Sequence, residues 1–181
     1  MGNIAAPDQV RPTDVLQRIW GGPLPEFDDM QALQELMDTL FMRLWNRLAD
    51  HQSARDPFRL SRRVWQPTAA DLLDLVKTRT EELEGFWEGF MGDQESVMTS
   101  KAAHEALESI GEVRSLLAAS IPLLEREDAS NQDQQLRDLL RNFTNLTDIA
   151  EKSIQKVITE SVRMRRMQTG STMEGFSQTR H

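Results

Sequence analysis

Apolar residues recur at three- and four-residue steps along most of this chain. Met30, Leu33, Leu36, Met37, Leu40, Phe41, Leu44 and Leu48 trace the clearest stripe, with acidic, Gln and Arg residues on the opposite face. The spacing predicts a helix over about residues 28–51, and Pro57 blocks its continuation. Leu72, Val76, Leu83, Phe86 or Trp87, and Phe90 predict a second helix, which Thr68 caps after Pro67. Ser100 opens a third, on which Ala103, Leu107, Ile110, Val113, Leu117, Ile121 and Leu124 keep the period. Pro122 lies within it and predicts a kink or an early end near Ser120.

The polar stretch after Leu124 reads as a linker. Leu136, Leu139, Leu140, Phe143, Leu146, Ala150, Ile154, Val157, Ile158 and Met164 then give a last helix over residues 132–167 a broad apolar face. A helix of that length would span ~50 Å, so it either breaks near residues 145–148 or reaches beyond the domain as an arm. Residues 168–181 read as a disordered tail. No window alternates with the period of two that a half-buried strand needs, so the fold class is all-α, a multi-helix bundle with a long C-terminal helix.

Prolines and glycines change the picture at two places. Pro7, Pro12, Gly21, Gly22, Pro23 and Pro25 punctuate the start, so residues 1–27 hold one short helix, capped by Thr13 and ended by a left-handed Gly21. Residues 28–125 are then the expected helical core, with a loop at 52–67. Gly85, Gly89 and Gly92 each weaken a helix by roughly 1 kcal/mol relative to Ala. Their spacing suits a close helix approach on one face, with Gly92 as the helix end.

Composition removes several function classes. Lys plus Arg total 21 and Asp plus Glu 29, a net charge of −8, which repels nucleic acid from most of the surface. The absence of cysteine excludes disulfides, thiolate metal sites and cysteine nucleophiles. No apolar run approaches the ~20 residues of a membrane span. MGNIAAPDQV lacks a charged start followed by an apolar stretch, and Ala6 stands where a myristoylation site has Ser or Thr. The cytoplasm is the expected compartment.

Chemistry is sparse. His51, His104 and His181 lie in different elements, and none forms an HxxxH pair or follows a Glu or Asp by three residues. The carboxylates from Glu81 to Glu95 read as a solvated face, and no phosphate loop occurs. No catalytic residue, metal or cofactor is expected, and the chain reads as a non-enzyme.

Basic residues gather twice. Arg55, Arg59, Arg62 and Arg63 face one Asp56, and Lys152, Lys156, Arg163, Arg165 and Arg166 face one Glu160. The second group suits contact with an acidic partner, nucleic acid or anionic lipid. The plainer reading, cations compensating a helix C-terminus, is preferred on sequence grounds. Of four tryptophans, Trp65 lies in the arginine-rich loop and is the best candidate surface anchor. Candidate protein-contact residues are therefore Trp65, Arg62, Arg63, Lys156, Arg163, Arg165 and Arg166.

Three segments in order carry a family likeness. They are Ala5-Ala6-Pro7-Asp8-Gln9-Val10-Arg11-Pro12-Thr13-Asp14-Val15-Leu16 running into Ile19-Trp20-Gly21-Gly22, then Leu44-Trp45-Asn46-Arg47-Leu48-Ala49 with Asp56-Pro57-Phe58, then Phe86-Trp87-Glu88-Gly89-Phe90-Met91. Over residues 5–92 the chain resembles the YecA/YgfB family of bacterial proteins. The resemblance implies an all-helical fold and no established catalysis. The chain lacks that family's upstream helix and the Cys-rich metal-binding tail of some members, so no zinc is implied. Ser161-Val162-Arg163-Met164-Arg165-Arg166-Met167 replaces its aromatic last helix.

The expected function is a protein-interaction or regulatory role, exercised through apolar helix faces toward a protein partner or a second copy. Two alternatives are a phasin-like surface-coating protein, suggested by the long last helix, and an acidic modulator of a nucleic-acid-binding partner.

Overall fold

The computed structural model describes residues 1–6, 11, 13–15, 17, 21–22, 29–53, 55–92, 94, 97–126 and 133–177, with Phe41 and residues 169–177 described by backbone alone. Helix α1 is Gly2–Ala5. Helix α2 is continuous but changes character: Met30–Met37 is α-helical, Asp38–Trp45 is π-helical and Asn46–Asp50 is α-helical. Helices α3, Ala69–Met91, α4, Lys101–Arg126, and α5, Asp133–Ser177, are long and regular. Among the described residues there is no strand.

The starts follow local chemistry. Asp29 accepts the amide of Ala32 at 2.6 Å and caps α2. Thr68 Oγ1 accepts the amide of Asp71 at 3.2 Å and caps α3. Ser100 Oγ accepts the amide of Ala103 at 3.1 Å and opens α4. Each cap satisfies an amide that has no partner within its helix. Gly92 closes α3 with φ 59°, a conformation that needs the absent side chain.

Helices α3, α4 and α5 form the bundle. Lys77 of α3 meets Glu125 of α4 at 2.8 Å, and Arg114 pairs with Glu84, so α3 and α4 run antiparallel. Lys156 of α5 lies 3.8 Å from Glu105, and Ser100 Oγ donates to Glu160 at 2.9 Å, so α4 and α5 are antiparallel too. Leu72, Val76, Leu83 and Phe90 of α3, Ile110 and Leu117 of α4, and Ala150, Ile154, Val157 and Ile158 of α5 fill the core between them. Each is the periodic apolar position of its helix.

Helix α1 closes one end. The carbonyls of Ile4 in its last turn and of Ala6 just beyond it accept from Arg165 Nη1 at 3.2 and 2.7 Å. Burial lowers the pKa of that guanidinium from its ordinary value. Gly2 lies directly on the backbone of α3 at Phe86 and Phe90, and Gly89 leaves room for Asn3, whose amide sits 3.1 Å from where a Cβ would be. Close approach therefore occurs at Gly89, to a four-residue helix, while Gly85 faces open space. Gly2→Ala would drive a methyl into the Phe86 carbonyl, and a loss of about 1–3 kcal/mol in urea unfolding is expected.

Beyond residue 27, three expectations are corrected. Helix α4 passes through Pro122 and ends at Arg126, because the proline removes only one hydrogen bond, on an exposed position near the last turn. Helix α5 is unbroken for 45 residues, roughly 68 Å. It is no free arm: its apolar face is core from Leu136 to Ile158. The helix extends to Ser177, and residues 178–181 lie outside the described ones. Residues 28–125 are not all core. Helix α2 contributes no buried residue among those described, although Leu33, Leu36, Met37, Leu40, Trp45 and Leu48 are half-buried. At the start of the chain there are two helical pieces where one was expected, Gly2–Ala5 and residues 13–15 with 17; Thr13 lies within the second rather than capping it, the Asp14 and Val15 amides bonding to the Arg11 carbonyl, and Gly21 has φ 68°. Trp20 lies outside the described residues.

Candidate functional site

A polar stripe runs along one edge of α5 through Glu151, Gln155, Thr159, Arg163 and Arg166. Steps of three and four residues place them on a single line of the helix. Its first half is occupied by the chain itself. Residues 57–66 form an extended strap with no regular secondary structure. Its backbone has no strand to pair with, so helix side chains take that role.

Glu151 is 1% exposed. Its Oε1 accepts the Leu60 amide at 3.0 Å, and its Oε2 accepts Arg59 Nη1 at 2.8 Å and Arg62 Nη2 at 3.4 Å. One turn on, Gln155 Oε1 accepts the Phe58 amide at 2.8 Å, while its Nε2 donates to the His51 carbonyl at 3.4 Å. On the other side, Glu82 of α3 accepts the Ser61 amide at 2.9 Å. Arg79, 4% exposed and paired with Glu82, donates to the Ser61 carbonyl at 2.8 Å and to its hydroxyl at 3.2 Å. The buried charges on α3 and α5 are thus matched by backbone dipoles and opposite charge, as burial requires.

The second half of the stripe is open. Thr159, Val162, Arg163, Arg166 and Met167 form one wall of a cleft of about 810 Å³, and Gln52, Ser53 and Arg55 form the other. Gln155 holds both ends of the turn that carries those three residues, through His51 and Phe58. His51 Nδ1, 2.9 Å from the Asp56 carbonyl, tightens the same turn. Two basic groups separated by about a hundred residues of sequence meet here.

The seven candidate contact residues have different fates. Arg163 and Arg166 come together in the cleft. Arg165 is spent on α1, and Lys156 faces Glu105. Arg62 turns back to Glu151. Arg63 pairs with Asp74 and lies 4.4 Å from the centre of the Trp65 ring. Trp65 packs against the core with its Nε1 buried, so it is a structural residue of the strap rather than a free anchor. The C-terminal cations do not compensate a helix end either, since α5 runs on to Ser177 and has no basic residue in its last turn. Arg55 belonged to the first basic group without being singled out. Gln52, Ser53 and Thr159 carried no signal in sequence, because only the fold brings them beside the arginines.

Comparison with family models, with characterised proteins and with solved structures finds no match to this chain. Function must therefore be argued from the site. Among the described residues no group of three His, Asp or Glu side chains gathers to hold a metal, and no helix is long and apolar enough to cross a membrane.

Proposed function

We propose that this chain is a non-enzymatic interaction protein that docks a partner helix along α2. One observation carries the reading: α2 has an amphipathic sequence but gives no residue to the core among those described, and it leaves Met30, Met42 and Leu44 exposed at 77%, 65% and 51%. Large apolar side chains held in water along one helix mark a contact surface, and Met is the side chain that adapts best to varied partners. The π-helical stretch points the same way, because such geometry is rare and recurs at functional positions. Glu35 and Asp38 on one half of α2 and Arg43 and Arg47 on the other supply a charged rim that would set the partner's direction. The resemblance to the YecA/YgfB family, which has no established catalysis, agrees with this reading.

The surface-coating alternative was suggested by the long last helix with its apolar face and basic end; Leu136 to Ile158 of that face pack in the bundle, which favours α2 as the contact. Affinity purification of the full chain, followed by mass spectrometry, tests the proposal against Met42→Glu/Leu44→Glu. The unmodified chain is expected to recover a protein that the double variant loses. The thermal midpoint should move little, since exposed substitutions change stability by about 0.5 kcal/mol or less. Light scattering distinguishes a second copy from another protein. Recovery of the same proteins by both forms, with the same oligomeric state, would remove α2 as the contact.

A further inference from the structure

We propose that the cleft between Gln52, Ser53 and Arg55 on one side and residues 159–167 of α5 on the other binds a small organic phosphate, through Arg55, Arg163 and Arg166. The α5 stripe uses its polar side chains to hold a segment of the chain as far as Gln155. Past that point the same line of the helix faces an unfilled cavity, and its charge changes sign from the carboxylate of Glu151 to two arginines.

Three guanidinium groups around one cavity repel each other. Such an arrangement is stabilised by an anion that accepts from several of them at once. Most cations elsewhere in the bundle have carboxylate partners close by: Arg59, Arg63, Lys77, Arg79 and Arg114 all do. In the cleft, Arg163 reaches Glu160 only at 4.0 Å, and Arg55 and Arg166 form no ion pair among the described residues. Ser53 and Gln52 add neutral donors, while Thr159 has its hydroxyl proton engaged by the Gln155 carbonyl at 2.9 Å.

Size and surrounding charge select the class of anion. A cavity of about 810 Å³ is the volume of a small-molecule site. A long polyanion would have to cross a protein surface with a net charge of −8, whereas a compact phosphate meets only the local positive potential. Val162 and Met167 line the same cavity and offer an apolar surface to the organic part of the ligand. Pure inorganic phosphate would leave that surface unused. This site is independent of the partner contact on α2, and neither proposal rests on the other.

The test is equilibrium binding to the full chain at low salt, with adenosine triphosphate, inorganic pyrophosphate and a single-stranded oligonucleotide as probes. Adenosine triphosphate is expected to bind most tightly, with pyrophosphate weaker. Arg163→Gln and Arg166→Gln should each weaken both by roughly tenfold, the effect of losing a charge-assisted pair. Arg55→Gln should do the same from the opposite wall. Arg141→Gln, on an exposed turn of α5 away from the cleft, should change neither. All four positions are exposed, so the circular dichroism spectrum should be retained. Three results would overturn the proposal: no binding of either phosphate at millimolar concentration, equal loss with Arg141→Gln, or an oligonucleotide that binds more tightly than both small phosphates.

Discussion

Glu151→Ala is expected to destabilise the protein by about 3 kcal/mol, which for a chain of this size lowers the thermal midpoint by roughly 6–12 °C. Little of this loss comes from the ion pairs themselves. Arg59 and Arg62 are half-exposed or more, and water will solvate them once the carboxylate is gone, so their share is below about 1 kcal/mol. The larger share is the Leu60 amide. It is buried, it donates to Glu151 at 3.0 Å, and alanine leaves it without an acceptor. Leu60 is itself a core residue, so the strap cannot lift to find water without exposing that side chain as well. Glu151→Gln separates the two contributions. It keeps an oxygen for the amide but puts an NH2 donor where the other oxygen accepts from Arg59 and Arg62, and about 1 kcal/mol is expected. Urea unfolding of the three proteins decides the matter; an alanine variant within 0.5 kcal/mol of the parent would mean that the strap is not held this way.

Phe90→Ala is expected to cost more, about 4 kcal/mol, by the same measurement. The ring is 2% exposed and stacks on Phe86 with centroids 6.1 Å apart. Its backbone amide lies close to Gly2 of α1, so α1 packs over this turn of α3. A void that its neighbours cannot collapse into lies at the upper end of the range for such substitutions. Phe90→Leu refills most of the volume and should cost about 1–1.5 kcal/mol. If alanine cost no more than leucine, α1 would have to move inward, and Arg165 would lose its two carbonyl partners.

Much of the fold was legible because helices advertise themselves locally. The stripes of α3, α4 and α5, the caps at Thr68 and Ser100 and the stop at Gly92 all rest on residues within four positions of one another. Three features were not legible. The π-helical part of α2 has a different period from the one used to trace its stripe. Whether an amphipathic helix is core or surface depends on what faces it, and the strong pattern of Met30 to Leu48 says nothing of that. The strap depends on contacts between residues about ninety positions apart, such as Leu60 with Glu151. The cleft was half visible: both basic groups stood out, but only the turn held by Gln155 shows that Arg55 belongs with Arg163 and Arg166.

The strap is gripped mainly by its backbone, and this bears on how such a chain tolerates mutation over time. Every residue except proline offers an amide N–H and all offer a carbonyl, but Arg59, Ser61 and Arg62 also engage Glu151 or Arg79 with their side chains, so identity is only weakly constrained at the exposed Val64. The constraint falls instead on Arg79, Glu82, Glu151 and Gln155, whose side chains do the gripping from two helices. Sequence drift should therefore be faster at Val64 than on the helices beside the strap, with proline excluded at Phe58, Leu60 and Ser61, whose amides are engaged.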